Sequence, residues 1–557
     1  MPPQPFDLGQ TLQQALALHQ QGKLREAEKL YARALKAAPG HFDALHLLGL
    51  VKAQSGQMGE AYRLMASAVR INAQSPDAWS NLANVLHALK RDEEALEAVD
   101  KASQLRPGDA GLLQQRGNIL LSLARHADAI ACFDAVLKVN PRHGEALLNR
   151  GTAKATLGRP AEALADFDAA LALAPHHPNA LYNRGNALLD LGRPAEAIAA
   201  FDRALAGAPQ HVKALNNRGR ALQALNRHAE ALAAFDKAIA VDKDYADAHF
   251  NRSHALLTLG ELHKGFAEYE WRWKRSGMEG AQRKLGRPLW LGEYPLGGKT
   301  ILLHAEQGLG DTILFARYAP VLAKAGAKVV LEVQPELKAL LSGLEGVQAC
   351  VARGETLPAF DVHCPLLSLP LAMKTDLESV PAPIPYLGAD AGRIARWKPR
   401  LEALPGKRVA IAWAGHARHV NDRNRSLALE QLAPLFARDG ISFVSIQREL
   451  RDGDTELLKR YGNVTHVGDA LTDMADTAAI VTLADLTLAV DTSVVHLSGA
   501  LGRPVWIMLP FVPDWRWGLT QETSPWYPQA RLFRQPALGD WTEVVAAVGD
   551  ALTHFAA

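Results

Sequence analysis

A chain of 557 residues that is 48% hydrophobic and 22% charged has ordinary globular composition and length for several folding units, which excludes disordered and collagen-like classes. Lys plus Arg number 61 against 59 Asp plus Glu, a net charge of +2, so the strong positive field of a general nucleic-acid or membrane-surface binder is absent. Cys132, Cys350 and Cys364 are too few and too scattered for a disulfide framework or a CxxC zinc site, which suits a reducing compartment. The first residues lack a basic segment followed by an apolar core, and no stretch approaches the ~18 uninterrupted apolar residues of a membrane span. A cytoplasmic protein without membrane insertion is expected. Of the 11 tryptophans only Trp79 precedes residue 270, which implies two differently built halves.

The first half repeats itself. Pro107, Pro141, Pro175 and Pro209 recur at a spacing of 34, with Pro39 in phase and Ala73 in the missing place. A small residue stands 24 positions before each of these slots, at Gly49, Ala83, Gly117, Gly151, Gly185 and, for the next unit, Gly219. Ala27, Ala61, Ala95, Ala129, Ala163, Ala197 and Ala231 repeat as well, followed four residues later by an aromatic in Tyr31, Phe133, Phe167, Phe201 and Phe235. This phasing, held over seven units across residues 8 to 245 with an incomplete eighth to Tyr269, resembles the tetratricopeptide repeat. Each unit then forms two amphipathic helices whose small residues allow close crossing and whose proline ends the second helix. One unit cannot bury its apolar face alone, so the units stack into a superhelix with a concave groove of the kind that takes peptides or proteins.

Two polar columns run along the array. Asn81, Asn149, Asn183, Asn217 and Asn251 share one slot, with Gln13 and Gln115 in two other units. An asparagine offers both donor and acceptor, so the column suits either peptide-backbone recognition in the groove or hydrogen bonds to a neighbouring helix. In O-GlcNAc transferases, whose repeat region this array resembles, asparagine at this slot holds an extended peptide. The next slot holds Arg116, Arg150, Arg184, Arg218 and Arg252, while Asp100, Asp134, Asp168, Asp202 and Asp236 repeat on the second helix. Equal periods of opposite charge predict ion pairs between repeats that set stacking rather than ligand binding.

After Tyr269 to Ser276 the period is lost and strand-like apolar runs alternate with helical ones, the signature of α/β structure. A first set comprises residues 300 to 304, 328 to 333 and a run beginning at Asp361; a second comprises 408 to 415, 441 to 447, 486 to 493 and 504 to 510. The proline-rich stretch Val380 to Asp390 reads as the connection between them. Two parallel-sheet domains facing a cleft place ligands at strand C-terminal ends. Three loops stand at such ends. His304 to Thr312 carries Gly308 and Gly310 before Asp311 at a helix start, where backbone approaches closely and anions are favoured. Ala414 to Ser426 is a flexible polar loop with Arg418, Arg423 and Arg425, whose guanidiniums suit a pyrophosphate. Val490 to Pro504 delivers Asp491, Thr492 and Ser493 to a helix start, with Thr492 or Ser493 as cap and His496 one turn in.

Together these loops resemble the GT-B glycosyltransferases of the heptosyltransferase family, glycosyltransferase family 9, over residues 298 to 555. The likeness rests on Gly310-Asp311, on the basic loop and on the Asp-Thr-x-x-x-His pattern at Asp491, Thr492 and His496. It implies that Asp311 is the general base, that Arg425 contacts donor phosphate, and that the Asp-Thr segment binds a nucleotide sugar. Arg425 stands where the family usually has lysine, and the tail Pro513 to Pro528 is unlike a lipopolysaccharide heptosyltransferase, so the sugar is left open. Direct displacement at an anomeric carbon needs a base for the acceptor and stabilisation of the departing diphosphate. Asp311 serves the first need. Arg423, Arg425, the amides after Asp491 and His496 serve the second, together with Gly308 and Gly310 in donor binding, without cofactor or metal. The DxD-like triplets Asp242 to Asp244 and Asp452 to Asp454, and the pair His176 and His177, lie in turns or loops and are read as chance. Trp515, Trp517 and Trp526 are read as core packing, while Trp271 and Trp273 weld the repeats to the catalytic half.

The expected architecture is therefore an α-solenoid over residues 1–273, a Rossmann-like half over 274–388 and a second, nucleotide-sugar-binding half over 389–557. The expected activity is metal-independent, inverting transfer from a nucleotide sugar to a protein or peptide acceptor selected by the groove. Transfer to a glycan or lipid-linked saccharide with the repeats docking a partner, and an inactive repeat scaffold, are the alternatives.

Overall fold

A computed structural model describes residues 7–278, 280–381, 384–418 and 421–556. Among these, sixteen helices run from Leu8–Gln20 to Leu262–Tyr269, followed by α/β structure. One compact unit ends at Ala214 and the next begins at Leu215. The limit near residue 273 thus marks where the repeat period ends, whereas the last helix pairs belong to the compact unit that also holds both sheets.

Within the first unit the repeat pattern has a steric cause. A Cβ on Gly117 would stand 2.5 Å from the Phe133 ring, and one on Gly185 2.5 Å from Phe201, so glycine is the counterpart of the aromatic four positions after the repeated alanine. Gly49 likewise faces Met65 at 2.7 Å. Where Ala83 fills the small slot, Val99 replaces the aromatic, and both are buried. The prolines sit in the turns: the helix His126–Val139 ends two residues before Pro141. The turn histidines have work of their own, since His143 and His177 accept the N–H of Ala146 and Ala180 at 3.1 and 3.2 Å and so cap the following helices.

The predicted ion pairs are present. Arg116 donates to Asp100 at 2.7 Å, Arg150 to Asp134 at 2.6 Å and Arg184 to Asp168 at 2.6 Å, each joining the second helix of one unit to the first helix of the next. The asparagine column is also engaged between helices. Asn81 bonds His46 at 3.0 Å, Asn149 donates to Asn118 at 2.8 Å and Asn183 to Thr152 at 3.3 Å. In the second unit Asn251 donates to Asn216 at 2.9 Å, and the Asn217 carbonyl accepts from the Asn216 amide at 3.0 Å. The bonds of Asn81, Asn149, Asn183 and Asn251 are those of the neighbouring-helix alternative, whereas the Asn216–Asn217 contact lies within the single helix Val212–Gln223.

The second unit carries two parallel sheets. The first has the order β3-β2-β1-β4, with β1 Thr300–His304, β2 Lys328–Val333, β3 Val347–Ala352 and β4 Val362–Pro365. The second has the order β10-β9-β8-β5-β6-β7, with β5 Lys407–Ala412, β6 Ile441–Ser445, β7 Val464–His466, β8 Leu486–Val490, β9 Val505–Leu509 and β10 Ala530–Arg534. Central strands are buried on both faces and read as apolar runs. In the connection expected over Val380 to Asp390, Ala382 and Pro383 lie outside the described residues. The N–H groups of Tyr386 and Leu387 both reach Ala500 O, at 3.1 and 3.2 Å, which ties this connection to the second sheet's layer.

Candidate functional site

A cavity of about 1260 Å³ opens at the C-terminal ends of β1, β5 and β8. Gly308, Gly310, Asp311, Arg425, Asp491, Thr492, Ser493 and His496 all line it. Arg423 is exposed on the short helix Asp422–Arg425 and stands outside that lining. Of the asparagine column, Asn251 reaches the cavity; Asn81, Asn149 and Asn183 belong to the other unit.

Asp311 is the third residue of the helix Leu309–Ala316, directly after β1, and accepts the Gly308 N–H at 3.1 Å on Oδ2. It caps its own helix, as an acid at that position does. Its Oδ1 accepts Arg516 Nη2, a partner carried by the segment after β9. The loop is braced on both sides: Gln307 donates to Tyr269 OH at 2.6 Å, and Gln334 donates to Gln307 O at 2.7 Å. Behind it Glu306 pairs with Arg272 at 3.0 Å; burial outweighs that cation and pushes the Glu306 carboxyl up to about 7.

Gly310 lines the cavity and also serves a close contact between helices. A Cβ there would lie 2.7 Å from His496 Cδ2 and 3.4 Å from Ser493 Cα, so the glycine lets the helix after β1 meet the helix Ser493–Ala500 after β8. His496 fills that contact, stacks on Trp517 at 5.4 Å, and is lowered to about 3 by burial and then by the Arg516 charge. Burial thus favours its neutral imidazole, which meets a diphosphate through a ring N–H rather than through a charge.

The cap on the helix Ser493–Ala500 also departs from expectation. Thr492 has the extended backbone of an N-cap, but its side chain makes no cap hydrogen bond and its Oγ1 is buried without a partner. Asp491 is raised, by burial first and then by Asp514 beside it. Arg425 donates to Asp491 O at 3.0 Å, and Gly415 leaves room for its guanidinium, because a Cβ there would lie 2.5 Å from Arg425 Nη2. The loop expected to be flexible is tied where it is described: Ser426 donates to Asp422 at 2.7 Å and Arg451 pairs with Asp422. His419 and Val420 of that loop lie outside the described residues.

Several site residues were not singled out from sequence. Arg516 lies between Asp311 and Asp514 and donates to Asp514 Oδ1 at 2.7 Å. Burial favours a neutral Asp514, yet Arg516 holds its carboxyl below the ordinary range. Beside the expected Asn251, the last repeats supply a cavity wall with Arg220, Gln223, Phe250, His254 and Tyr269. The signal available beforehand was the triplet Trp515-Arg516-Trp517, a cation flanked by large apolar side chains. Trp515, Trp517 and Trp526 are 8%, 0% and 1% exposed, which bears out core packing. The expected weld is only partly made by tryptophan. Trp271 stacks on His249 at 3.8 Å inside the last repeat, whereas Phe266, Tyr269 and Arg272 make the contacts to Trp515, Gln307 and Glu306. The DxD-like triplets are ordinary turn chemistry: Asp242 accepts the Asp244 N–H at 3.1 Å and Asp454 that of Arg451 at 2.9 Å. Among the described residues no helix is long and apolar enough to cross a membrane.

Comparison with known proteins bears on the helical part. A tetratricopeptide-repeat family model matches residues 115–178 and 148–212, and a TPR-repeat model matches 219–260. A model for anaphase-promoting complex, cyclosome, subunit 3 matches residues 20–102. The N-terminal part is a tetratricopeptide-repeat array. Protein FlbA of Caulobacter vibrioides is 26% identical over 324 residues, covering 54% of this chain and 54% of FlbA. The chain thus spans about half the length of that curated relative. Among solved structures, a tetratricopeptide-repeat protein from Parabacteroides merdae is 19% identical with a TM-score of 0.37, over 45% of this chain and 98% of its own. YrrB, described as a TPR protein with an unusual peptide-binding site, is 26% identical with a TM-score of 0.30, over 33% of this chain and 95% of its own.

Proposed function

We propose that the second unit is a glycosyltransferase that moves a sugar from a nucleotide-sugar donor to a protein or peptide acceptor presented by the last repeats. The observation that carries this reading is the single cavity in which Asp311, Arg425 and the Asp491-Thr492 turn converge from the C-terminal ends of three strands. Arg425 and the uncapped amides at the start of the helix Ser493–Ala500 suit a diphosphate leaving group. Asp311, from the opposite sheet, is the candidate base for the acceptor hydroxyl. The acceptor enters from the repeat side, where Gln223, Phe250 and Asn251 form the wall. A thermal-shift panel of nucleoside diphosphates and nucleotide sugars tests the reading, since a ligand of the folded state raises the melting temperature. No shift with any of them returns the chain to a repeat scaffold.

A further inference from the structure

The cleft holds an imbalance of charge. Three carboxylates, Asp311, Asp491 and Asp514, lie around one guanidinium, Arg516, which is 8% exposed and lines the cavity. Asp514 presets the cation: its Oδ1 accepts Arg516 N at 3.0 Å and Nη1 at 2.7 Å, and the guanidinium lies 4.5 Å over the Trp515 ring. From that seat Nη2 reaches across to Asp311, which belongs to the other sheet. With Gly308 N–H on Oδ2, both Asp311 oxygens are held.

The seat itself stands on the repeats. Asn226 donates to Phe511 O at 2.5 Å, and Phe266 meets Trp515 edge-on at 5.4 Å. We propose that Arg516 is a positioning residue for the Asp311 base, a cation fixed by Asp514 and by the last repeats that pairs with the Asp311 carboxylate and aims it across the cleft. This rests on the transferase reading and adds to it the regulation of the base from the acceptor side. The reacting bonds are those of direct displacement: the acceptor O–H breaks with its proton passing to Asp311, the oxygen forms the bond to the anomeric carbon, and the bond to the diphosphate breaks with its electron pair on phosphate oxygen. Arg516 touches none of these atoms.

The groups that face the pair are Asp491 and His496 after β8, Arg425 after β5, Glu306 behind β1, and His254 and Tyr269 on the repeat helices. Burial lowers both His496 and His254 and so favours their neutral forms. The test compares wild type, Arg516→Gln and Arg516→Lys in the full chain by nucleoside-diphosphate binding, by kcat and by the acid limb of the pH–rate profile. Removing a cation beside a carboxylate raises its proton affinity, so the glutamine variant is expected to move the acid limb up by about one pH unit or more. It also lowers kcat about a hundredfold through a misaimed base, with nucleotide affinity within about twofold of wild type. Lysine keeps the charge but not the fork, so it restores the acid limb while kcat stays at least about tenfold down. Where the glutamine variant does not fold, the lysine variant decides, and a wild-type kcat there overturns the role. A glutamine variant with an unmoved acid limb and wild-type kcat overturns it too. Wild type that binds no nucleotide and transfers no sugar overturns the transferase reading itself, which is a distinguishable outcome.

Discussion

Arg150 in the repeats and Arg516 in the cleft each lie between two aspartates, yet their surroundings differ in kind. Arg150 spans Asp134 and Asp166 at 2.6 and 2.5 Å, and Lys154 joins Asp166 at 2.9 Å, so two cations meet two anions. Arg516 meets Asp311 and Asp514 with Asp491 as a third acid, and Asp491 is pushed toward its neutral form by burial and by Asp514. A stacking interface neutralises its charges locally, because an uncompensated buried ion costs several kcal/mol. A cavity lined by surplus carboxylate retains that cost, and perturbed acids of this kind cluster where chemistry is done.

The largest effect expected from this contrast is in the cleft. Asp311→Asn removes the candidate base without changing side-chain shape, and transfer should fall by about 10² to 10⁴. The thermal shift with a nucleoside diphosphate should persist, because Arg425 and the turn after β8 are untouched; retained turnover removes Asp311 from the mechanism. In the array, Asp166→Asn leaves Arg150 and Lys154 without their shared buried anion. About 3 kcal/mol of stability should be lost, read by urea unfolding, while transfer per folded molecule is unchanged. A loss of turnover there would place function in the column assigned to stacking.

A pH series sharpens the line between the two kinds of charge. The Glu306 carboxyl has an ordinary value of 4.5 and is pushed up to about 7, chiefly by burial and against the pull of Arg272. Below pH 4.5 both folded and unfolded chains hold that proton. Between 4.5 and about 7 the unfolded chain releases it and the folded chain does not, so the stability contributed by this group falls as pH rises. Glu306→Gln lacks that loss, so its melting temperature relative to wild type should climb by a few degrees over this interval and level off above it. A constant difference would mean that Glu306 is ionised throughout as the partner of Arg272.

The repeats were legible because their cause is local: a glycine that faces an aromatic, a proline in each turn and an arginine sixteen residues after an aspartate all leave a period in the sequence. The buried strands β1, β2, β5, β6, β8 and β9 were legible as apolar runs. The strands β3, β7 and β10 were not, since each is a sheet edge with exposed or polar positions. The same division holds in the cleft. Asp311, Arg425 and Asp491 carry loop signals at strand ends, whereas the pairing of Arg516 with Asp311 joins residues 205 apart and no local pattern announces it. The position of His496 was legible, whereas its burial against Trp517 and beside Arg516 was not, because those partners come from a later segment of the chain.

The smallest expected effect tests whether the array's balance is a matter of burial or of count. Asp134 has an exposed side chain, with 54% of it accessible, while Asp166 retains 6%, and both bind the same arginine. A solvated pair is weakened by water and by the entropy of holding two long side chains, so the Asp134–Arg150 coupling in a double-mutant cycle should be about 0.2 to 1 kcal/mol. The Asp166–Arg150 coupling should exceed it, since that contact is shielded and adds hydrogen bonds from both Nε and Nη2. Raising the salt concentration should erase the first and leave most of the second. Equal couplings, both insensitive to salt, would show that the column acts as a single network, and the distinction from the cleft would then rest on the third acid, Asp491, beside Arg516 rather than on exposure.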